Sequence, residues 1–320
     1  MQYSFVVPIY NDGYLVKPFC DAFYKVFVCY LKRKDIEAQV ELIFVNDGSS
    51  EESLNDLKSA SRRFPFIKVI NLSRNFGQHV AVSCGYKYAR GDVVGMLNAD
   101  MQESPNEIPK LIQALNLDGS DIVFGLRRSR EGAKIDSFTS RMFGVFLNKL
   151  TGQEVPLDIS TLRVMKREFV DAYNSLNESC RYLPGLEGWL GFKRSYVEIE
   201  HRQRLTGKSS YTFGKRLKMA SEAIISFSDL PLRITVAVGF AVVTIGFMLM
   251  LALVLQRLFF SDVLLGYTST VVIVIFLGGI QLIVIGLASL YIGRILREVQ
   301  RRPVYIIKST INLPETSINE

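Results

Sequence analysis

Two groups of polar side chains in this sequence could bind a charged ligand. The first group follows short apolar runs and contains Tyr10, Asp12, Asp47, Asn98 and Asp100. The second group is rich in cationic donors and contains Arg202, Arg204, Lys208 and Tyr211. Guanidinium groups present paired N–H donors that match phosphate oxygens, so the second group predicts phosphate binding. A basic patch at a membrane surface is the alternative interpretation of these four residues.

The runs that precede the first group predict the elements that must position it. Each run is short, apolar and strand-like, and a helix-period stretch follows it. The runs are Tyr3–Ile9, Val40–Val45, Ile67–Leu72 and Val93–Leu97. Four such units predict an α/β fold with a doubly wound, mostly parallel sheet, in which ligands bind beyond the carboxyl ends of the strands. Each Asp or Asn could instead cap the next helix, but four polar loops at one edge favour a binding site.

Composition and spacing exclude several classes of protein and site. A hydrophobic content of 48% excludes intrinsic disorder. No glycine-rich dinucleotide fingerprint follows any strand, and Arg202 stands where a phosphate loop ending at Gly207–Ser209 would need its first glycine. The four cysteines form no C-x-x-C pair, so no structural zinc site is expected. The net charge of +7 gathers beside apolar stretches without a recognition motif, so nucleic acid is not expected as a partner.

Two uncharged stretches predict membrane spans. Ile234–Gln256 has 23 residues and Val263–Gly293 has 31, against the roughly 20 that a transmembrane helix needs. Basic residues precede the first stretch and follow the second, whereas the turn between them is neutral, which predicts that both ends of the chain are cytoplasmic. Phe213–Phe227, with apolar residues at helical spacing, predicts an interfacial amphipathic helix before the spans. Because the N-terminus has no signal peptide, we expect the large domain in the cytosol.

The order of the motifs resembles a known family. The first blocks are Val6–Asn11, Val45–Ser50, Asn71–His79 and Leu97–Gln102. Later blocks are Leu162–Met165, Arg181–Gly185, Gly188–Phe192, Arg202–Tyr211, Pro231–Arg233 and Arg302–Tyr305. Together they resemble family 2 glycosyltransferases with the GT-A fold, and more narrowly the polyisoprenyl-phosphate glycosyltransferases, which include bactoprenol glucosyl transferases and dolichol-phosphate mannose synthases.

The resemblance implies a metal site and a nucleotide-sugar pocket. A divalent cation, Mg²⁺ or Mn²⁺, would be bound by Asp100 with Asn98 and Gln102. The family usually has Asp at the position of Asn98, so one negative charge is missing here. The implied nucleotide-sugar pocket contains Pro8, Tyr10, Asp12, Asp47, Gly77, Asn98, Ala99 and Asp100. For Asp12, helix capping remains an alternative.

The resemblance also implies an acceptor side to the site. Asp158 matches an acid that borders the acceptor, where it is either a general base or a group that orients the substrate. Thr161 stands where the family pattern has Phe. The phosphate and acceptor groups would be Arg127, Arg163, Arg202, Arg204, Lys208 and Tyr211. A polar segment that begins at Arg127 and Arg128 could be a lid or a surface loop.

The implied activity is inverting transfer of one sugar from a nucleoside diphosphate, with UDP favoured, to undecaprenyl phosphate for cell-envelope or O-antigen glycan modification. The predicted organisation is a cytosolic transferase domain (1–212), a juxtamembrane helix (213–230), a two-span hairpin (231–296) and a cytosolic tail (297–320). The predicted location is a bacterial inner membrane, and the family implies a homotetramer. The alternatives are a processive or protein-directed transferase, a small transporter, and a non-catalytic scaffold in which Asn98 marks lost metal binding.

Overall fold

The computed structural model describes residues 2–31, 39–127, 158–200, 230–259 and 266–313. The chain divides into two units, Met1–Thr212 with Pro303–Glu320, and Phe213–Arg302. The strands are β1 (Tyr3–Ile9), β2 (Val40–Asn46), β3 (Ile67–Leu72), β4 (Val93–Met96), β5 (Ile122–Arg127), β6 (Ile159–Lys166), β7 (Arg194–Ile199) and β8 (Ile307–Ile311). The helices are α1 (Val16–Leu31), α2 (Glu51–Arg63), α3 (Gln78–Tyr88), α4 (Ile108–Leu117), α5 (Arg167–Asn174), α6 (Leu183–Trp189), α7 (Leu230–Phe259) and α8 (Tyr267–Val299).

The first unit contains a mixed, mostly parallel sheet with the strand order β7-β5-β6-β4-β1-β2-β3-β8. The central strands β4, β1, β2 and β3 are mutually parallel, which confirms the four predicted strand–helix units. Their inward and outward faces are both buried, as expected when helices cover both sides of a sheet. The carboxyl ends of these strands therefore share one edge of the sheet.

Aromatic residues spaced four apart fix α1 against the sheet. Phe19, Phe23 and Phe27 are fully buried on one face of that helix. Phe5 of β1 contacts two of them, with ring centroids 5.3 Å from Phe23 and 5.1 Å from Phe27. This packing holds β1 and the loop that follows it in place.

Two strands run against the others. β6 is antiparallel to both β4 and β5, so its first residues lie at the edge where β4 and β5 end. β8 is antiparallel to β3, with Thr310 opposite Ile70. The segment predicted as a C-terminal tail, 297–320, thus contributes a strand that completes the sheet of the first unit.

The second unit contains the long helices α7 and α8 among its described residues. Leu277–Val299 of α8 is long and apolar enough to cross a membrane, with a mean hydropathy of 1.8 and no buried residues. Ile234–Met248 of α7 is apolar but shorter. The predicted interfacial helix at Phe213–Phe227 lies outside the described residues.

Candidate active site

The loops after β1 and β2 place several predicted residues at the shared carboxyl edge. Pro8 lies within β1 opposite Val45, and Tyr10 follows the strand with 51% of its surface exposed. Asp12 occupies the N-cap position of a short 3-10 helix, Gly13–Leu15, but its side chain makes no capping hydrogen bond. The geometry therefore leaves the Asp12 carboxylate uncommitted by helix capping.

Asp47 fastens one loop of the site to another. Its carboxylate accepts hydrogen bonds from the backbone N–H groups of Phe76 at 2.7 Å and Gly77 at 2.9 Å. Burial raises the pKa of the Asp47 carboxyl, and these two N–H donors oppose that rise. Asp47 thus holds the backbone ahead of α3, a role that sequence reasoning did not assign to it.

Two glycines in these loops have positive φ angles, and one of them lets the loop after β2 lie against the loop after β3. Gly48 has φ +69°, and a Cβ there would lie 2.3 Å from the backbone carbonyl carbon of Arg74. Gly77 has φ +99° and is the N-cap residue of α3, but a Cβ there would meet nothing within 4 Å. The space beside Gly77 is open, as the predicted approach of a nucleotide requires.

Asn98 lies at the end of β4 in a chain of hydrogen bonds. Its Oδ1 accepts from Gln78 Nε2 at 3.0 Å, and its Nδ2 donates to Thr161 Oγ1 at 3.2 Å. Thr161 Oγ1 in turn donates to Glu103 Oε2 at 2.5 Å. The position predicted as a metal ligand is therefore also a bridge between α3 and β6.

Glu103 is a site residue that sequence reasoning missed. It is 2% exposed, and its carboxylate accepts from the backbone N–H groups of Thr161 at 3.1 Å and Leu162 at 2.8 Å. Arg127 Nη2 lies 3.4 Å from the same carboxylate. The available signal was the presence of an acid directly after Gln102, within the predicted site. A buried carboxylate at such a position must be paired or hydrogen-bonded.

Asp100 and Gln102 supply the oxygens expected for a hard divalent cation. Both are half-buried beside buried Ala99, and the Gln102 N–H donates to Asp100 Oδ1 at 3.2 Å. Met101 between them has φ 58°, which marks a tight turn. Among the described residues no three His, Cys, Asp or Glu side chains cluster, so one carboxylate and neighbouring amide oxygens form the donor set. That set fits Mg²⁺ or Mn²⁺ when phosphate oxygens complete the coordination shell.

Arg127 and Asp158 meet at the same edge. The Arg127 N–H donates to the Asp158 carbonyl at 2.9 Å, and the Asp158 side chain is exposed. The Arg127 Nε atom is buried without a hydrogen-bond partner among the described residues. Arg127 and Asp158, two of the residues predicted for the acceptor side, are therefore neighbours, and Arg127 also contacts Glu103.

Arg163 does not fit its predicted role in phosphate binding. It is 6% exposed, and its guanidinium donates to the buried Glu187 carboxylate and, through Nε, to the Thr161 carbonyl at 3.0 Å. Burial, the largest single effect, lowers the pKa of Arg163, but the charge and hydrogen bond of Glu187, together with Tyr86 and Glu103, outweigh it and raise the pKa. The pair joins β6 to α6, and breaking a buried pair leaves an uncompensated charge.

His79 lies on the first turn of α3, with its ring 5.6 Å from that of Tyr182 in an edge-on contact. Burial, and then the charge of Arg163, lowers the pKa of His79 to about 4. The ring is therefore neutral at pH 7. Arg202, Arg204, Lys208 and Tyr211 lie outside the described residues, so their roles stay predictions.

The described residues at this edge bring together the exposed Asp158, the tight turn from Asp100 to Gln102, and Arg127. Such an arrangement can bind a diphosphate through a cation and present a second phosphate group beside Arg127.

Comparison with known proteins gives the same class of chemistry. The sequence matches the family described as glycosyl transferase family 2 over residues 4–173. It is 32% identical over 318 residues to the uncharacterized glycosyltransferase YkcC of Bacillus subtilis, covering 98% of this chain and 95% of that protein. It is 33% identical over 312 residues to the SfII prophage-derived bactoprenol glucosyl transferase of Shigella flexneri, covering 97% of this chain and 98% of that one.

A solved structure shares the fold. The crystal structure of glucosyl-3-phosphoglycerate synthase from Mycobacterium tuberculosis, in complex with Mn²⁺, UDP and phosphoglyceric acid, aligns with a TM-score of 0.50 at 17% identity. The alignment covers 70% of this chain and 76% of the synthase. The mixed sheet is thus GT-A-like, as predicted. With the polar carboxyl edge and the match over more than half of its length, this chain belongs to glycosyl transferase family 2 and is a glycosyltransferase.

Proposed function

We propose that this glycosyltransferase transfers one sugar from a nucleoside diphosphate, with UDP favoured, to the phosphate of a polyprenyl phosphate such as undecaprenyl phosphate. The observation that carries the proposal is similarity over 97% of the chain to a protein named for bactoprenol glucosyl transfer. The two long apolar helices after the transferase domain support a lipid acceptor. The glycolipid product would serve cell-envelope or O-antigen glycan modification.

The displacement needs few protein groups. A phosphate monoester with a second pKa near 6 is mostly dianionic at pH 7, so the acceptor oxygen can attack the anomeric carbon without a general base. The new bond forms between that oxygen and the anomeric carbon as the bond to the departing diphosphate breaks, which inverts the configuration. Asp158, exposed beside Arg127, then orients the acceptor rather than removing a proton.

Asp100, Asn98 and Gln102 would hold Mg²⁺ or Mn²⁺ against the donor diphosphate. When bound, such a cation supplies charge stabilisation to the leaving diphosphate. The chain itself places Asp100 on a tight turn and fixes Asn98 through Gln78 and Thr161. Asp47 holds Phe76 and Gly77 at the end of β2. The open space beside Gly77 would then be available to the nucleotide donor.

Membrane attachment is supported by the path of the chain. β8 pairs with β3, so Met1–Thr212 and Pro303–Glu320, on either side of the segment that contains α7 and α8, belong to one folded unit. A chain that leaves a domain and returns to it must cross any membrane an even number of times. If α8 crosses, a second crossing is required, and the apolar part of α7 is the candidate. We infer a two-span anchor in a bacterial inner membrane, with the transferase domain and both termini cytoplasmic.

The proposal is tested by transfer of radiolabel from UDP- and GDP-sugars into an organic-extractable lipid, using the purified full chain, undecaprenyl phosphate and Mn²⁺ or Mg²⁺. Labelled lipid from one donor is expected and would identify the sugar. Transfer only to a protein or to a growing polymer would contradict the proposed acceptor. No labelled lipid from any of these nucleotide sugars would contradict the proposed donor.

The Asp100→Asn variant tests whether the carboxylate of Asp100 binds the divalent cation. We expect transfer to fall by a factor of at least about 100, because the anionic metal ligand is lost while size and hydrogen-bonding shape are kept. Circular dichroism and membrane fractionation should match the wild type. Full turnover in this variant would exclude Asp100 as the metal ligand.

Assembly into the homotetramer that the family implies is testable on the same preparations by mass determination in detergent.

A further inference from the structure

Two motif blocks without a role in the transfer site meet at a second cleft of the first unit. The cleft has a volume of about 560 Å³, within the range of small-molecule sites. Arg181 comes from one block and Tyr305 from the other, and α3 contributes Lys87 and Tyr88 to the wall. The cleft thus lies between α3, the segment after α5 and the residues that lead into β8.

The charged groups in this cleft have one sign. Lys87 and Arg181 line it, and no acid is among the described residues that do so. Lys87 is exposed, and no carboxylate forms a salt bridge with either cation within the ranges that the structure covers. Two unpaired cations facing one concave surface favour an anionic ligand.

Neighbouring residues hold the Arg181 side chain in the wall of the cleft. Its Nη2 donates to the Leu176 carbonyl at 2.6 Å, and its guanidinium carbon lies 5.8 Å from the centre of the Tyr173 ring. Its Nε is buried and has no hydrogen-bond partner among the described residues. A buried donor without an acceptor is costly, so the guanidinium is not saturated with partners among the described residues.

The remainder of the wall is suited to an ester rather than to a bare ion. The amides of Asn174 and Asn177 line the cleft together with the apolar side chains of Leu176, Val304 and Ile306. Pro303, the first residue of this wall on the β8 side, follows the end of α8 at Val299 by four positions. A phosphate on a lipid headgroup and a phosphate on a soluble ester share the chemistry that this wall recognises.

We propose that this cleft is a second anion site, separate from the transfer site, that binds the phosphate group of a phosphate ester through Lys87 and Arg181. The proposal does not depend on the proposed transfer reaction, because Lys87 lies in the last turn of α3, whereas Gln78, which bonds Asn98 at the transfer site, begins that helix. The asparagine amides would supply further donors, and the apolar wall would contact the organic part of the ester.

The test measures binding by the full chain in detergent. Thermal stabilisation by inorganic phosphate is compared with that by chloride at equal ionic strength, and retention of phosphatidylglycerol is compared with that of phosphatidylcholine by native mass spectrometry. The proteins are the wild type, Lys87→Gln, Arg181→Gln and the control Lys25→Gln, which removes an exposed lysine of α1. We expect the two cleft variants to bind at least about tenfold more weakly and the control to match the wild type.

The two ligands identify the source of the phosphate. If the cleft variants lose both responses, the cleft recognises the phosphate group itself. If they lose only lipid retention, the ligand is a lipid headgroup. If they lose only the stabilisation by inorganic phosphate, the ligand is a soluble ester. Equal binding by all four proteins, or no binding by the wild type, would overturn the proposal. Lys87→Gln, at an exposed position, keeps the test valid if Arg181→Gln fails to fold.

Discussion

The hydrogen bond between Asn98 and Thr161 favours an amide over a carboxylate at position 98. Thr161 has a single hydroxyl hydrogen, which it donates to Glu103, so its oxygen is available only as an acceptor toward Asn98. A carboxylate at position 98 would face that oxygen without a hydrogen and would add a second negative charge near Glu103. The two residues that differ from the family pattern are therefore a matched pair.

A double-mutant cycle tests this pairing. We expect Asn98→Asp alone to lower transfer, because the new carboxylate is repelled by Thr161 Oγ1. Asn98→Asp in a Thr161→Val background should instead tighten the dependence on Mn²⁺, with a coupling of about 1 kcal/mol between the two sites. The measurement is the apparent Mn²⁺ affinity in the transfer assay for all four proteins. Additive effects would show that the two positions act independently.

His79 predicts a pH dependence of stability. Its pKa is lowered from 6.5 to about 4 in the folded protein, so the unfolded chain binds the proton more readily. The contribution of neutral His79 is complete above pH 6.5 and is lost as the pH falls toward 4, by about 1–3 kcal/mol. Thermal unfolding between pH 7 and 4 should show a smaller acid loss for His79→Gln than for the wild type. Parallel curves for the two proteins would contradict this assignment.

The closeness of Asp100 and Gln102 could be predicted from the sequence, but the contacts that hold Glu103 and Arg163 could not. Asp100 and Gln102 stand in a short motif, so their spacing alone brings them together. The backbone N–H groups that bond Glu103 are 58 and 59 residues away on β6, and the acid that pairs with Arg163 is Glu187 on α6. Whether an arginine faces a ligand or a buried acid depends on such distant contacts, which is why Arg163 was misassigned.

At the scale of elements, the sequence predicts what is local. Each of the first four strands is followed by its own helix, so hydrophobic periodicity locates the elements to within a few residues. The direction of β6 and the pairing of β8 depend on partners elsewhere in the chain. Asn71 of β3 and Ser309 of β8, which share a hydrogen bond, are 238 residues apart. No periodicity within either strand contains that information.

Deletion of β8 tests its contribution to the first unit. Removal of 303–320 would leave the edge of β3 unpaired and would also remove the hydrogen bond from Asn312 Nδ2 to the Ile67 carbonyl at 2.9 Å. An uncovered strand edge promotes aggregation. We expect a lower unfolding temperature and loss of monodisperse protein in detergent, whereas the control deletion of 314–320 keeps β8 and should behave as the wild type. Equal behaviour of both deletions would show that β8 is dispensable.

At the scale of the whole molecule, the pairing of β8 with β3 constrains topology independently of hydropathy. Both ends of the chain belong to the first unit, whatever the lengths of α7 and α8. The positive-inside rule reaches the same result from Arg294, Arg297, Arg301 and Arg302. Two separate physical grounds therefore support one arrangement.

Epitope tags at the two termini test that arrangement. In intact bacterial spheroplasts, both tags should resist added protease, and in inverted membrane vesicles both should be cleaved. A tag in the turn between α7 and α8 should show the opposite pattern. Opposite behaviour of the N-terminal and C-terminal tags would exclude an even number of crossings.

The position of β8 also orders the events of biosynthesis. The strand that completes the sheet is the last one to leave the ribosome, after both long helices have been synthesised. Translation proceeds at about 5–20 residues per second, so several seconds or more separate the synthesis of β3 from that of its partner. The sheet of the transferase unit can be completed only after α7 and α8 have been synthesised, so the enzyme matures after the segment that we propose as its membrane anchor.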